Sequence, residues 1–112
     1  MMEENKRVFP RFLFSEPVEF VRPDLNSNGG VGGNISLGGM SVRTSEFVPM
    51  GVVIDLQIRL GQSPKVLWAK AQVVRIREVS EDCYEIGLKF VNDEECLKSV
   101  GEYINTSRLK FI

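Results

Sequence analysis

Hydrophobic and polar residues alternate along much of the chain, which is the period of a β-strand with one buried face. The clearest case is VVIDLQIRL, residues 52–60, in which every second residue from Val52 is aliphatic. Segments 65–79 and 83–91 alternate in the same way. With the extended segment 13–22 and the segment 39–44, the pattern predicts about six short strands.

Glycine, asparagine and proline residues separate the predicted strands. Residues 23–33, PDLNSNGGVGG, are predicted to form a loop because they contain four glycines, two asparagines and a proline. After Asn92, a candidate N-cap, the apolar residues recur at helical spacing: Leu97, Val100, Tyr103 and Ile104. Short strands followed by one helix predict an all-β fold, a closed β-barrel with a C-terminal α-helix over one end.

Composition and charge narrow the classes of function. The 112 residues fit one domain, and the formal net charge of -1 gives no global attraction for nucleic acid, so no DNA or RNA partner is expected. No apolar run of about 20 residues is present, so no membrane span is expected. MMEENKR is not a signal peptide, which favours a cytoplasmic protein with free thiols at Cys83 and Cys96. The chain has no histidine, so we expect neither an enzyme nor a metal site.

The N-terminal segment KRVFPRF carries the first candidate for binding chemistry. Arg7 and Arg11 lie four residues apart around Pro10, in a polar arm predicted over residues 1–12 that precedes the barrel domain, 13–112. The planar fork of donors in a guanidinium group matches pairs of phosphate oxygens, and its charge is permanent. The alternative is a solvated arm whose arginines pair with surface carboxylates.

The second candidate is NISLGG, residues 34–39. In an extended segment Asn34 and Ser36 point the same way, so both side chains could hydrogen-bond one ligand. Gly39 permits a close approach to the backbone. The alternative is a turn in which Asn34 and Ser36 satisfy their own backbone.

Taken together, these two motifs resemble those of the PilZ domain family: an Arg-x-x-x-Arg pair, then an Asp/Asn-x-Ser-x-x-Gly sequence. The resemblance continues through GMSVRT, VVIDLQIRL, WAKAQVVRIRE and YEIGLKF, and covers roughly residues 5–108. It implies a six-stranded antiparallel β-barrel with a C-terminal α-helix. It also implies binding of cyclic di-GMP, a bacterial second messenger, with no further cofactor.

The resemblance implies a role for each motif residue. Arg7 and Arg11 would hold phosphates and guanine edges. Asn34 and Ser36 would hydrogen-bond a guanine or the adjoining backbone, and Gly39 would leave room for the base. Both motifs are complete in this sequence, which is typical of members that bind the nucleotide.

Three further positions are candidates for ligand binding. The position of Lys6 is associated in the family with binding of one ligand or a stacked pair. Arg43 follows Gly39 by four residues and could reach the ligand, or it could lie on a solvated strand face. Trp68 shares a polar face with Lys70 and could stack on guanine, contact a protein or be half-buried.

A single-domain receptor must pass its signal to another molecule, so we expect an unidentified downstream protein and a monomeric or weakly dimeric chain. Ordering of the arm by ligand is the expected mechanism, and motility or biofilm regulation is the expected kind of process. Two other functions stay open: a PilZ-like protein scaffold in pilus or flagellar machinery with weak or no nucleotide binding, and a small barrel that binds RNA or single-stranded DNA.

Overall fold

The computed structural model describes residues 10–14, 16–21, 27–59, 66–91 and 94–106. Their strands and helix follow one another in this order: β1 (Phe12–Leu13), β2 (Pro17–Val21), β3 (Ser27–Ile35), β4 (Gly39–Thr44), β5 (Val53–Arg59), β6 (Val66–Ser80), β7 (Cys83–Phe90) and α1 (Glu94–Thr106). Strands account for most of this part of the chain, so the predicted all-β class is confirmed.

The strands form one antiparallel sheet that closes into a six-stranded barrel. The order is β3-β2-β5-β6-β7-β4, and pairing of β3 with β4 closes the ring. Strands β1 and β2 pair with the same edge of β3 in nearly the same register, with Phe12 opposite Ile35 and Val18 opposite Gly30. They therefore act as one interrupted strand, and the predicted six-stranded barrel with a C-terminal helix is confirmed.

Alternation along the strands fills the barrel interior. Ile54, Leu56 and Ile58 of β5 are buried, while Asp55 between them is exposed. The inward face of β6 consists of the predicted residues Leu67, Ala69, Ala71 and Val73. Each aliphatic side chain of this kind stabilises the fold by about 1.5–3 kcal/mol when it is fully buried.

Helix α1 covers one end of the barrel. Val100 and Tyr103 are buried on its inner face, and the Tyr103 ring meets the Phe14 ring edge-on at a centroid distance of 5.7 Å. Glu94 and Glu95 lie in the first turn, where a negative charge interacts favourably with the helix dipole. The predicted cap, Asn92, lies outside the described residues. No helix in the described ranges is long and apolar enough to cross a membrane.

The prediction of a loop over residues 23–33 is wrong for its second half, which belongs to β3. The glycines there serve close packing. A Cβ on Gly30 would overlap the Arg43 carbonyl oxygen, and a Cβ on Gly32 would overlap the Phe14 ring. Those neighbours come from distant parts of the chain, so the sequence pattern alone could not distinguish this strand from a loop.

Candidate functional site

The two motifs meet on the outside of the barrel, beside the hairpin that joins β3 to β4. Arg11 directly precedes β1, and Leu13 of β1 pairs with Asn34 of β3. The Nη1 group of Arg11 donates a hydrogen bond to Oδ1 of Asn34 at 3.2 Å. The structure therefore brings together one arginine of the first motif and the asparagine of the second.

This hydrogen bond orients both polar groups. Because Oδ1 of Asn34 accepts from the guanidinium, its Nδ2 group stays available as a donor on the other side of the amide. The half-buried Arg11 brings a permanent positive charge to the same place. Side by side, the two groups can bind a phosphate oxygen and a polar base edge.

Ser36 uses its side chain to hold the hairpin turn. Its hydroxyl donates to the Gly39 carbonyl oxygen at 3.4 Å and accepts from the Gly38 backbone N–H at 3.2 Å. Its backbone N–H donates to the same Gly39 oxygen at 2.8 Å. The turn that the sequence left open as an alternative is present for Ser36, and its predicted contact with a ligand stays a prediction.

Gly39 is held close to the neighbouring strand β7. It pairs with Lys89, and a Cβ at this position would overlap the Leu88 carbonyl oxygen. The Gly38 carbonyl oxygen accepts a hydrogen bond from the Phe90 N–H at 2.9 Å. The absence of a side chain at Gly39 is therefore required by the packing of the turn on β7, and its role in leaving room for a base stays a prediction.

Ser41 is a residue of this site that the sequence interpretation missed. It pairs with Asn34, and its Oγ accepts a hydrogen bond from the Asn34 backbone N–H at 3.1 Å. The contact fits the shift in register between Gly32 and Asn34, where β3 bulges. Its polar position between the buried Met40 and Val42 was the available signal, because such alternation identifies an outward residue.

Arg43 lies on the outer face of β4, two residues beyond Ser41. Its Nε is 3.7 Å from Oε2 of Glu85, whose other oxygen accepts a hydrogen bond of 2.7 Å from Nη2 of Arg77. The Glu85 side chain is only 17% exposed, which reduces solvent screening of its charge. Arg43 thus already has a protein partner on the face where the sequence predicted either a ligand contact or a solvated position.

Trp68 lies in a different groove, between β6 and α1. Its side chain is 62% exposed, and it pairs with Gln57 of β5 on a part of β6 that precedes the pairing with β7. The groove has a volume of about 800 Å³ and is also lined by Lys70, Lys98 and Glu102. The structure confirms the predicted outward face of Trp68 but does not bring it next to the β3–β4 hairpin.

Lys6 and Arg7 lie outside the described residues, so their predicted roles stay predictions. The first described pairing of the chain joins Phe12 to Ile35, at the predicted boundary between the arm and the barrel.

Comparisons with known proteins agree with this fold and site. A family model described as the PilZ domain matches residues 5–105. A search of curated protein sequences found no match. Among solved structures, the PilZ domain of YcgR from Escherichia coli with c-di-GMP is similar, with a TM-score of 0.72 and 16% identity over 89% of this chain and 88% of that one.

Two further solved structures share the fold. The PilZ domain of CeSA from a cellulose-synthesizing bacterium has a TM-score of 0.68 and 19% identity, over 85% of this chain and 94% of that one. The Bacillus subtilis inhibitor of motility, MotI/DgrA, has a TM-score of 0.66 and 18% identity over 94% of this chain. The match spans only 55% of MotI/DgrA, and a match to a longer YcgR structure spans 46% of that chain. The family model covers nearly the whole sequence, and the chain belongs to the PilZ domain family.

Proposed function

We propose that this protein is a cyclic di-GMP receptor that acts through a partner protein, and that it binds this nucleotide without catalysing its conversion. The observation that carries the proposal is the hydrogen bond between Arg11 and Asn34, which joins the two motifs on the outer face of the barrel. The similar YcgR domain was solved with c-di-GMP, which supports this choice of ligand.

The chemistry of the ligand fits the groups at this site. Cyclic di-GMP carries two phosphates and two guanines. In the proposed complex, Arg7 and Arg11 bind phosphate oxygens or guanine edges through charge-assisted hydrogen bonds. Asn34 donates to a guanine acceptor, and Ser36 and Gly39 hold the turn on which the base rests.

Isothermal titration calorimetry with cyclic di-GMP tests the proposal, using the native chain, Arg11→Ala and Arg77→Ala. Arg77 is the matched control because it is an exposed arginine on the barrel surface that pairs with Glu85. We expect saturable binding by the native chain, and about ten- to a hundredfold weaker binding by Arg11→Ala, since a hydrogen bond to a charged group contributes about 1.5–3 kcal/mol. Arg77→Ala should bind like the native chain. A folded Arg11→Ala variant with native affinity would contradict the proposed site.

For the output, we propose that the ligand holds the arm, residues 1–12, against the barrel through Arg7 and Arg11, and that a downstream protein recognises the resulting surface. Amide hydrogen exchange, followed on peptides that span the arm, tests this mechanism. We expect slower exchange in these peptides at saturating cyclic di-GMP. Equal exchange with and without bound ligand would refute the ordering mechanism and leave the receptor function intact.

The exposed Trp68 favours a second candidate function, a scaffold that works by protein contact. Tryptophan is enriched among the residues that dominate binding energy at protein interfaces, and this one is 62% exposed beside a groove. Failure of the folded native chain to bind cyclic di-GMP in the titration would favour this scaffold over the receptor.

A further inference from the structure

A row of four paired residues runs across the outer face of the barrel from the candidate site. Asn34 on β3 pairs with Ser41 on β4, Ser41 pairs with Gly87 on β7, and Gly87 pairs with Arg75 on β6. Paired residues of an antiparallel sheet project from the same face. Arg75 belongs to neither motif, yet it stands on the same face and in the same row as the asparagine of the site.

The side chain of Arg75 lies across Gly87. A Cβ built on Gly87 would be 3.2 Å from Cβ, 3.3 Å from Nε and 3.4 Å from Nη2 of Arg75. Contacts at both ends of the side chain mean that it runs from β6 over β7, in the direction of β4 and the site. A larger residue at Gly87 would push this arginine away from the sheet.

The guanidinium of Arg75 has no carboxylate partner within the described ranges. The nearest acid in the rows of the sheet, Glu85, is already paired with Arg77 at 2.7 Å and with Arg43 at 3.7 Å. No hydrogen bond or ion pair holds Arg75 in the part of the chain that the structure describes. An arginine laid over the sheet without an anion is suited to bind one from solution.

The distance along the row fits a nucleotide. Gly87 and Asn34 are separated by two strand spacings, about 10 Å in all. The only residue between them is Ser41, whose short side chain turns toward the Asn34 backbone. No long side chain of this row therefore stands between the Arg75 guanidinium and the hydrogen-bonded pair of Arg11 and Asn34.

We propose that Arg75 is a further ligand-binding residue, which reaches over Gly87 to bind a phosphate of the cyclic dinucleotide from the side opposite Arg11. A guanidinium can present two parallel N–H donors to a phosphate group, whereas a lysine at the same position offers a point charge. The inference rests on the proposed receptor function and assigns to β6 a part in the ligand site.

Calorimetry with cyclic di-GMP on Arg75→Ala and Arg75→Lys tests the inference, with Arg77→Ala as the matched control. Arg77 lies two residues further along β6, is also exposed, and is engaged by Glu85. We expect Arg75→Ala to bind about ten- to a hundredfold more weakly than the native chain, and Arg75→Lys to recover part of the loss. The affinity of Arg77→Ala should stay within about twofold of native.

Salt dependence separates a direct contact from a loss of structure. If Arg75 binds a phosphate, Arg75→Ala should lose less affinity than the native chain when ionic strength is raised. Circular dichroism and urea unfolding should show that both alanine variants stay folded, since these side chains are exposed.

Each outcome of the titrations decides the inference. Native affinity in Arg75→Ala would overturn it while leaving the receptor function in place. Equal weakening in Arg75→Ala and Arg77→Ala would also overturn it, because the effect would then come from the general positive field. A folded native chain that binds no cyclic di-GMP would refute the receptor function, and the role of Arg75 with it.

Discussion

At the scale of single residues, the site depends on positions where a side chain is missing. Gly39 lets the turn approach the Leu88 carbonyl oxygen of β7, and Gly87 leaves space for the Arg75 side chain. Gly33 lies against Ser41, with 2.7 Å between a Cβ built on it and the serine Oγ. These glycines make the outer face of the sheet smooth at the place where Arg11 and Asn34 meet.

The substitution Gly39→Ala should destabilise the fold by about 1–3 kcal/mol, because the added Cβ overlaps backbone and forces β4 away from β7. Urea unfolding followed by circular dichroism measures the change. The control is Gly29→Ala, another strand glycine, where the nearest atom to the added Cβ is the Val18 carbonyl oxygen at 3.8 Å. Gly29→Ala should leave stability unchanged or slightly raised, and equal losses in the two variants would contradict this account of Gly39.

At the scale of elements, the sequence predicts what depends on local period and fails where a distant neighbour decides. The buried faces of β5 and β6 follow from alternation, and the buried residues of α1 follow from helical spacing. Strand β3 was missed because its glycines are explained only by Phe14 and Arg43, which pack against it. Likewise, alternation indicates that Arg75 faces outward, but only the register of β6 on β7 aligns it with Gly87 and the site.

The helix provides a test at this scale, because adjacent residues face opposite ways. Val100 is fully buried against the barrel end, while Ser99 is exposed. Val100→Ala should lower the free energy of unfolding by about 1–3 kcal/mol through lost burial and a residual cavity. Ser99→Ala should change it by about 0.5 kcal/mol or less. Urea unfolding of both variants checks the prediction, and a small loss for Val100→Ala would mean that the helix contributes little to the fold.

At the scale of the whole molecule, the net charge hides a local asymmetry. The chain has a formal charge of -1, yet the outer face around the site carries Arg11, Arg43, Arg75, Arg77 and Lys89 against a single described acid in their paired rows, Glu85. The sequence sum correctly gives no global field, but it cannot show which charges the barrel brings together. The local excess favours a small anion such as a cyclic dinucleotide.

Because the site joins β1, β3 and β4, a ligand bound there should stabilise the whole barrel. At a free concentration a hundredfold above Kd, binding to the folded chain alone contributes about 2.7 kcal/mol, which raises the Tm of a domain of this size by roughly 10 °C. Thermal unfolding followed by circular dichroism measures the shift. At the same ligand concentration, Arg11→Ala should show about half of this rise or less.

Val100→Ala separates ligand linkage from fold stability. Its Tm without ligand should be lower than that of the native chain, but its rise with cyclic di-GMP should be the same, because α1 supplies no residue of the proposed site. A native chain that binds in the calorimeter yet melts at an unchanged temperature would mean that the ligand binds the folded and unfolded chains equally. Such a result would place the binding groups on a segment that does not need the barrel, and would exclude the joined site of Arg11 and Asn34.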